Sequence, residues 1–256
     1  MFTIFKNYSL DYGISVAADG NMHLSFKDNQ QNRAKFFQQQ KIGDKKAFAA
    51  DLVHGTKVTK INSADENFII PETDGLISSE RNIVLTITVA DCFPIYFYNP
   101  KENKIGLAHS GWRGTVSNIA AKVIQAMDCK PEDVFVGIGP GIQSCHFEVK
   151  EDIIESFKAY PKAVIYRQKK VFINLPSIIK EQLANSGVKI IEDSAECTYC
   201  NQDKYFSFRR DKPEPIEAML AYIAKTNWFA IISKALILSF LSILSFLFIS
   251  PYAPET

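Results

Sequence analysis

Between residues 83 and 110 the chain carries three apolar runs separated by short polar breaks. IVLTITVA (83–90) is rich in β-branched residues and reads as a buried strand. PIYFYNP (94–100) and KIGLAHS (104–110) read as two more, with a turn at Asn99-Pro100. Upstream, FAADLVHG (48–55) half alternates and ends at His-Gly, the pattern of a strand running into a turn. The N-terminal MFTIF predicts a short strand, and the polar KDNQQNRAKFFQQQ (27–40) predicts a helix.

Downstream the period changes. After Gly114, the positions Val116, Ile119, Ala120, Val123, Ile124 and Met127 recur at helical spacing, so TVSNIAAKVIQAM is an amphipathic helix that packs on a sheet. DVFVGIGPGI (133–142) reads as a strand ending in a glycine-proline turn, and EVKEDIIESFKAY (148–160) as a second helix. PSIIKEQLANSG reads as a helix stopping at Gly187, VKIIED (188–193) as a strand and YFSFRR (205–210) as a late strand. Strands and helices alternate, so the class is α/β. Strand order is not set by the pattern.

The far end differs. From Trp228 to Ser250 the sequence is apolar except for serines and Lys234, and roughly 20 such residues are what a helix needs to cross a bilayer. Lys225 and Lys234 lie on its N-terminal side, so a spanning segment would keep the preceding body in the cytosol. A buried terminal helix and a tail altered at the gene level are the alternatives. The expected organisation is a catalytic unit over 1–225 and an apolar tail over 226–256 that tethers the protein to a membrane.

Composition narrows the partners. Twenty-nine basic and 28 acidic residues leave a net charge of +1, which offers no electrostatic footprint for nucleic acid. The five cysteines are an odd number, and the N-terminus lacks the basic start and apolar run of a secretory signal. Both point to a reducing, cytoplasmic setting.

There are four histidines: His23, His54, His109 and His146. His54 and His109 each follow an apolar strand, and Cys92 closes a third. Two imidazoles and a thiolate leaving strands at turns form a typical zinc set, with a fourth position open to water or substrate. The competing reading pairs Cys92 as nucleophile with His109, and Asp91 or another acceptor orients the ring. GWRG (111–114) precedes the amphipathic helix, and its backbone N–H groups with Arg113 suit an anion. GIGPGI (137–142) forces a tight backbone that lets a ligand approach closely, so Gly139 and, just beyond, Gln143 are candidate substrate or phosphate contacts. CTYC (197–200) has the spacing of half a zinc ribbon, but no second CxxC completes it, and it reads as structural. Arg209 and Arg210 end the late strand on alternate faces, so at most one faces a pocket.

In order, DLVHG (51–55), DGLIS (74–78), TVADCFPIYFYNP (88–100), GLAHSGWRGT (106–115), GIGPGIQSCHFEV (137–149) and CTYCNQDKYFSFRRD (197–211) resemble the YfiH/YlmD family, also called the polyphenol-oxidase or laccase-domain family. The resemblance implies a four-layer α/β/β/α fold similar to a toxin's cysteine-hydrolase domain. It implies zinc at His54, Cys92 and His109. It also implies phosphorolysis of adenosine, inosine, guanosine and methylthioadenosine, with deamination of adenosine, or alternatively a peptidoglycan-editing amidase acting on a muramyl-amino-acid precursor. Under the nucleoside reading Arg113 is the candidate phosphate contact, and Asp91 the carboxylate for proton transfer or purine contact. The chain departs from the family in three places. GISVAADGNM (13–22) replaces a segment that carries an arginine near the pocket, Leu52 replaces a glutamine, and KPEPIEAMLAYIAK (212–225) follows RRD in place of the usual continuation. A multicopper laccase is excluded by composition, because four histidines cannot supply both a blue-copper site and a histidine-rich cluster.

Overall fold

The three central runs fold as read, as the strands Ile83–Val89, Phe93–Asn99 and Lys104–Ser110, buried throughout except for the half-buried Lys104. They do not lie in one sheet. In the computed structural model, which describes residues 2–226, the chain leaves Ile83–Val89 in a five-stranded sheet. It enters Phe93–Asn99 in a six-stranded one. The order of the first sheet is Leu10–Ile14, Met219–Lys225, Ile83–Val89, Lys46–Ala50, Ile69–Ile70. The second runs Ile190–Asp193, Phe135–Ile138, Phe93–Asn99, Lys104–Ser110, Gly75–Ser78, Val58–Lys60. A small third sheet joins Glu148–Val149, Lys170–Ile173 and Val164–Arg167.

Burial explains the stacking. Phe48, Leu85 and Ile87 of the first sheet share a core with Tyr96, Tyr98 and Leu107 of the second. The opposite face of the second sheet packs on the helices Ile119–Met127 and Leu175–Asn185 through Ile95, Phe97, Val123 and Ile179. Phe36 and Phe37 of the helix Asn29–Gln39 pack near Val84, Leu220 and Tyr222 on the outer face of the first sheet. Strands covered on both faces read as unbroken apolar runs.

Four local expectations are corrected. MFTIF is not a strand: Thr3–Phe5 is a 3₁₀ turn whose Phe2 and Phe5 are buried in the core between the sheets. The helix after Gly114 is two helices, Trp112–Val116 and Ile119–Met127, broken at Asn118, which adopts a left-handed backbone (φ 62°) and caps the second with its side chain. EVKEDIIESFKAY holds the two-residue strand Glu148–Val149, then one α-helical turn, Glu151–Ile154, and a 3₁₀ turn, Glu155–Phe157. YFSFRR is not a strand but a loop leading into the helix Phe208–Asp211. Among the strands that escaped the pattern are Leu10–Ile14 and Met219–Lys225. The second is buried throughout and lies inside the first sheet, so the atypical KPEPIEAMLAYIAK still ends in a core strand.

Residues up to Lys225 form one compact unit. The expected membrane tether is not supported: among the described residues no helix is long and apolar enough to cross a membrane. The segment 228–250 itself lies outside the described residues.

Candidate active site

Two parallel neighbours in the first sheet, Lys46–Ala50 and Ile83–Val89, end on the same rim. Four residues past the first, His54 sits in a turn with φ of 59°. Three residues past the second, Cys92 begins the crossing into the other sheet, preceded by Asp91 at φ 86°. His109 arrives from the other sheet, on a strand where it stands opposite Pro94. One ligand atom from each of His54, Cys92 and His109 lies within 4.8 Å of the others. The two imidazoles meet edge to face, with ring centres 4.8 Å apart.

The donor set fits a zinc ion, and its surroundings strengthen the fit. Asp74, fully buried, accepts from Nδ1 of His109 at 2.9 Å, which leaves Nε2 for a ligand. The same carboxylate accepts the backbone N–H groups of His54 at 3.0 Å and Gly55 at 2.7 Å, so one acid orients both histidines. Burial works against its ionisation, but the His109 and Gly55 hydrogen bonds hold it below the usual carboxylate range. Burial also opposes charge on Cys92, yet His109 and His54 beside it lower the thiol to about 6. His109 is raised to about 9, because the Cys92 sulfur and Asp74 outweigh its desolvation. The two imidazoles thus favour the thiolate form of Cys92, the form that both zinc ligation and nucleophilic attack require. Gly111 closes the floor: a β-carbon there would stand 2.9 Å from Cys92 Sγ and 3.0 Å from His54 Cδ2.

The three ligands line a cavity of about 420 Å³, within the range of small-molecule sites. Leu24, Leu52, Ile142, Phe147, Phe208 and Ile216 give it apolar walls, and His23, Asp51, Thr88, Asp91 and Arg209 are its other polar side chains.

Not every candidate residue reaches this cavity. Asp91 does, but its carboxylate is engaged: Thr198 Oγ1 donates to one oxygen and the Arg209 N–H to the other, each at 2.6 Å. It is an anchor for the wall. Arg113 is exposed, stacked 4.4 Å from the Trp112 ring, and is not among the lining residues. The helix that follows Gly111 has only five residues. Gly139 faces a different depression, and a β-carbon there would meet Pro94 at 2.7 Å, so its role is close packing. Gln143 lies away from the cavity, its N–H directed at the Cys197 sulfur and its side chain at the Glu196 carbonyl.

Residues 11–224 match the family described as multi-copper polyphenol oxidoreductase laccase. The chain belongs to this family, the YfiH/YlmD group. Its relatives include purine nucleoside phosphorylase YlmD of Geobacillus stearothermophilus, 32% identical over 194 residues, which are 68% of this chain and 70% of that protein. Purine nucleoside phosphorylase RP494 of Rickettsia prowazekii is 34% identical over 170 residues, 62% of this chain and 68% of that one. Among solved structures, YlmD from Geobacillus stearothermophilus aligns with a TM-score of 0.80 at 27% identity, covering 86% of this chain and 93% of that one. YfiH of Bacillus licheniformis aligns at 0.78 with the same identity, covering 85% and 93%.

In this YfiH/YlmD chain the sequence reading did not assign Asp74 or Gly111 to the site, and it left open which arginine of the pair 209–210 faces a pocket. Asp74 opens DGLIS and could have been flagged as a lone acid beside an apolar strand. Gly111 is signalled by its place directly after His109-Ser110. Arg209 is the member of the arginine pair that lines the cavity, its guanidinium 5.4 Å from the Phe147 ring and bonded to the Glu148 carbonyl at 2.7 Å. Arg210 instead bonds the carbonyls of Thr198, Tyr199 and Tyr205 and pairs with Asp211.

Proposed function

We propose that this protein is a zinc-dependent purine nucleoside enzyme. The observation that carries the reading is the meeting of His54, Cys92 and His109 at the rim of one apolar cavity. Those three side chains would hold the metal. When bound, zinc supplies a Lewis acid with one coordination position left for water or a substrate oxygen. The curated relatives named as purine nucleoside phosphorylases support the substrate class.

The chain's own groups have definite parts in that reaction. Ile142, Phe147 and Phe208 provide apolar surface for a purine and exclude water from it. Arg209 is the one Arg or Lys among the described lining residues, and it takes the phosphate role first considered for Arg113. Phosphorolysis joins a phosphate oxygen to the ribose anomeric carbon as the bond to the purine nitrogen breaks, and a proton reaches the departing base. Asp74 keeps the His109 ring and the His54 backbone in place throughout. Adenosine, inosine, guanosine and methylthioadenosine are the expected substrates, and adenosine deamination is the expected second activity of the same cavity.

Inosine incubated with and without phosphate is the test. Hypoxanthine release that requires phosphate and disappears in His109→Ala is the expected result. Absence of release above that control rejects the nucleoside assignment. Phosphate-independent loss of an amino acid from a muramyl-amino-acid substrate would put the amidase in its place.

A further inference from the structure

CTYC looks incomplete in the sequence because a zinc ribbon needs a second pair of ligands. The fold supplies one. Cys145 and His146, adjacent in a loop between Phe135–Ile138 and Glu148–Val149, come to lie against Cys197 and Cys200. One ligand atom from each of the four lies within 4.8 Å of the others.

The separations have the size of a coordination shell. Cys145 Sγ is 3.5 Å from Cys197 Sγ and 3.6 Å from Cys200 Sγ. His146 Nδ1 is 3.3 Å from both Cys145 Sγ and Cys200 Sγ. Zinc bonds of the usual length in a tetrahedron give edges of about 3.8 Å between sulfurs and about 3.5 Å between sulfur and nitrogen. A disulfide needs sulfurs about 2.05 Å apart, and all three cysteines are free.

The neighbours also suit a metal. The His146 ring stacks on Tyr199 with centres 3.9 Å apart and planes 13° from parallel, which holds Nδ1 toward the sulfurs. Backbone N–H groups of Gln143 and Cys200 are directed at the Cys197 sulfur. Such donors stabilise a thiolate. The Arg167 guanidinium bonds the Ser144 and Cys145 carbonyls and fixes the loop that carries two of the ligands.

We propose that Cys145, His146, Cys197 and Cys200 bind a second zinc ion, in a closed four-ligand structural site distinct from the His54/Cys92/His109 centre. Binding releases the three thiol protons to solvent and leaves His146 as a neutral ligand. Four protein ligands fill the tetrahedron, so this ion has no place for substrate. Its work is mechanical. Thr198, between the two cysteines of CTYC, donates to Asp91, and the Ile142 N–H bonds the Asp91 carbonyl at 2.8 Å. The zinc thus ties the loop bearing Ile142 and Phe147 to CTYC, and both to the residue preceding Cys92.

The full chain, purified without chelator and dialysed, is expected to carry two zinc equivalents by plasma mass spectrometry. Cys145→Ser and Cys200→Ser are each expected to carry one, and Cys92→Ser also one, lost from the other centre. Cobalt substitution of the unaltered chain gives a reading that does not depend on any variant folding. The closed site should show ~threefold the thiolate-to-cobalt absorption of the open one, since three thiolates bind rather than one. One zinc equivalent in the unaltered chain, abolished by Cys92→Ser and untouched by Cys200→Ser, would overturn the proposal. So would a disulfide linking any two of Cys145, Cys197 and Cys200 in the freshly purified protein.

Discussion

The two clusters of soft ligands in this molecule are built differently. His54, Cys92 and His109 stand at strand ends on the rim of a cavity, and His109 is almost wholly buried. Cys145, His146, Cys197 and Cys200 come from two loops, and two of the four are exposed. The first has three ligands and an open side, the second four and none. Number of ligands separates reactive zinc from structural zinc. Charge separates them too. Cys92 has His109 and the buried Asp74 behind it, so its thiol is pulled down despite burial. Cys145 has desolvation and two further thiols as neighbours, and these push its thiol up to about 12 in the metal-free protein.

The largest effect that would sharpen this contrast comes from Asp74→Asn. Second-sphere partners of a ligating histidine are worth about 10–100-fold in metal affinity. The open centre should lose that much, measured by competition with a chromogenic chelator, while the metal held by the cysteine-rich loops stays. An equal loss from both would erase the distinction. Gly111→Ala comes next. Its backbone (φ −75°) accepts alanine, so the clash with Cys92 and His54 is the whole perturbation. A drop in kcat of about 10-fold, ~1.4 kcal/mol, is expected with little change in melting temperature. Unchanged kcat would show that the three ligands have room to spare.

Arg209→Met should raise the KM for phosphate about 10-fold and leave the KM for nucleoside nearly unchanged, as a lost charge-assisted contact predicts. Its backbone N–H to Asp91 survives the change. An equal rise for both substrates would mark Arg209 as a wall residue only. The smallest effect is in thiol reactivity. In the metal-stripped protein, Cys92 should alkylate with a midpoint near pH 6, because its thiolate forms as pH rises through about 6 while His109 stays protonated up to about 9. Cys145, pushed up to about 12, should react slowly over the same range. Matching pH profiles for the two cysteines would remove the electrostatic half of the comparison.

Much of the first cluster was legible because Cys92 follows a long, fully buried strand, His109 lies near the end of another and His54 follows a half-alternating apolar run. A buried strand makes an unbroken apolar run, so a His or Cys at or just past its end stands out against it. Arg113, Gly139 and Gln143 were less well placed from their sequence neighbourhood. Each lies near the motif that suggested it, yet Arg113 turns onto Trp112, Gly139 packs on Pro94 and Gln143 faces Cys197. Side-chain direction depends on which sheet the next strand joins, and the pattern carries no record of that. CTYC shows the same limit from the other side. Its partners are adjacent residues about 50 positions earlier, a spacing that no zinc-ribbon rule anticipates.

The sequence by itself determined the α/β class and the buried central strands, and it marked His54, Cys92 and His109 as candidate metal ligands. Those follow from local hydrophobic period and from the chemistry of His and Cys, which travel with the residue. Tertiary structure alone decided that Ile83–Val89 and Phe93–Asn99 belong to different sheets, so that the crossing between them presents Cys92 to His109. It alone put Asp74 beneath His109, Arg209 at the cavity wall and Cys145-His146 against CTYC. The reason is that these are long-range pairings. They are set by which apolar faces bury one another, a property of the whole chain rather than of any segment.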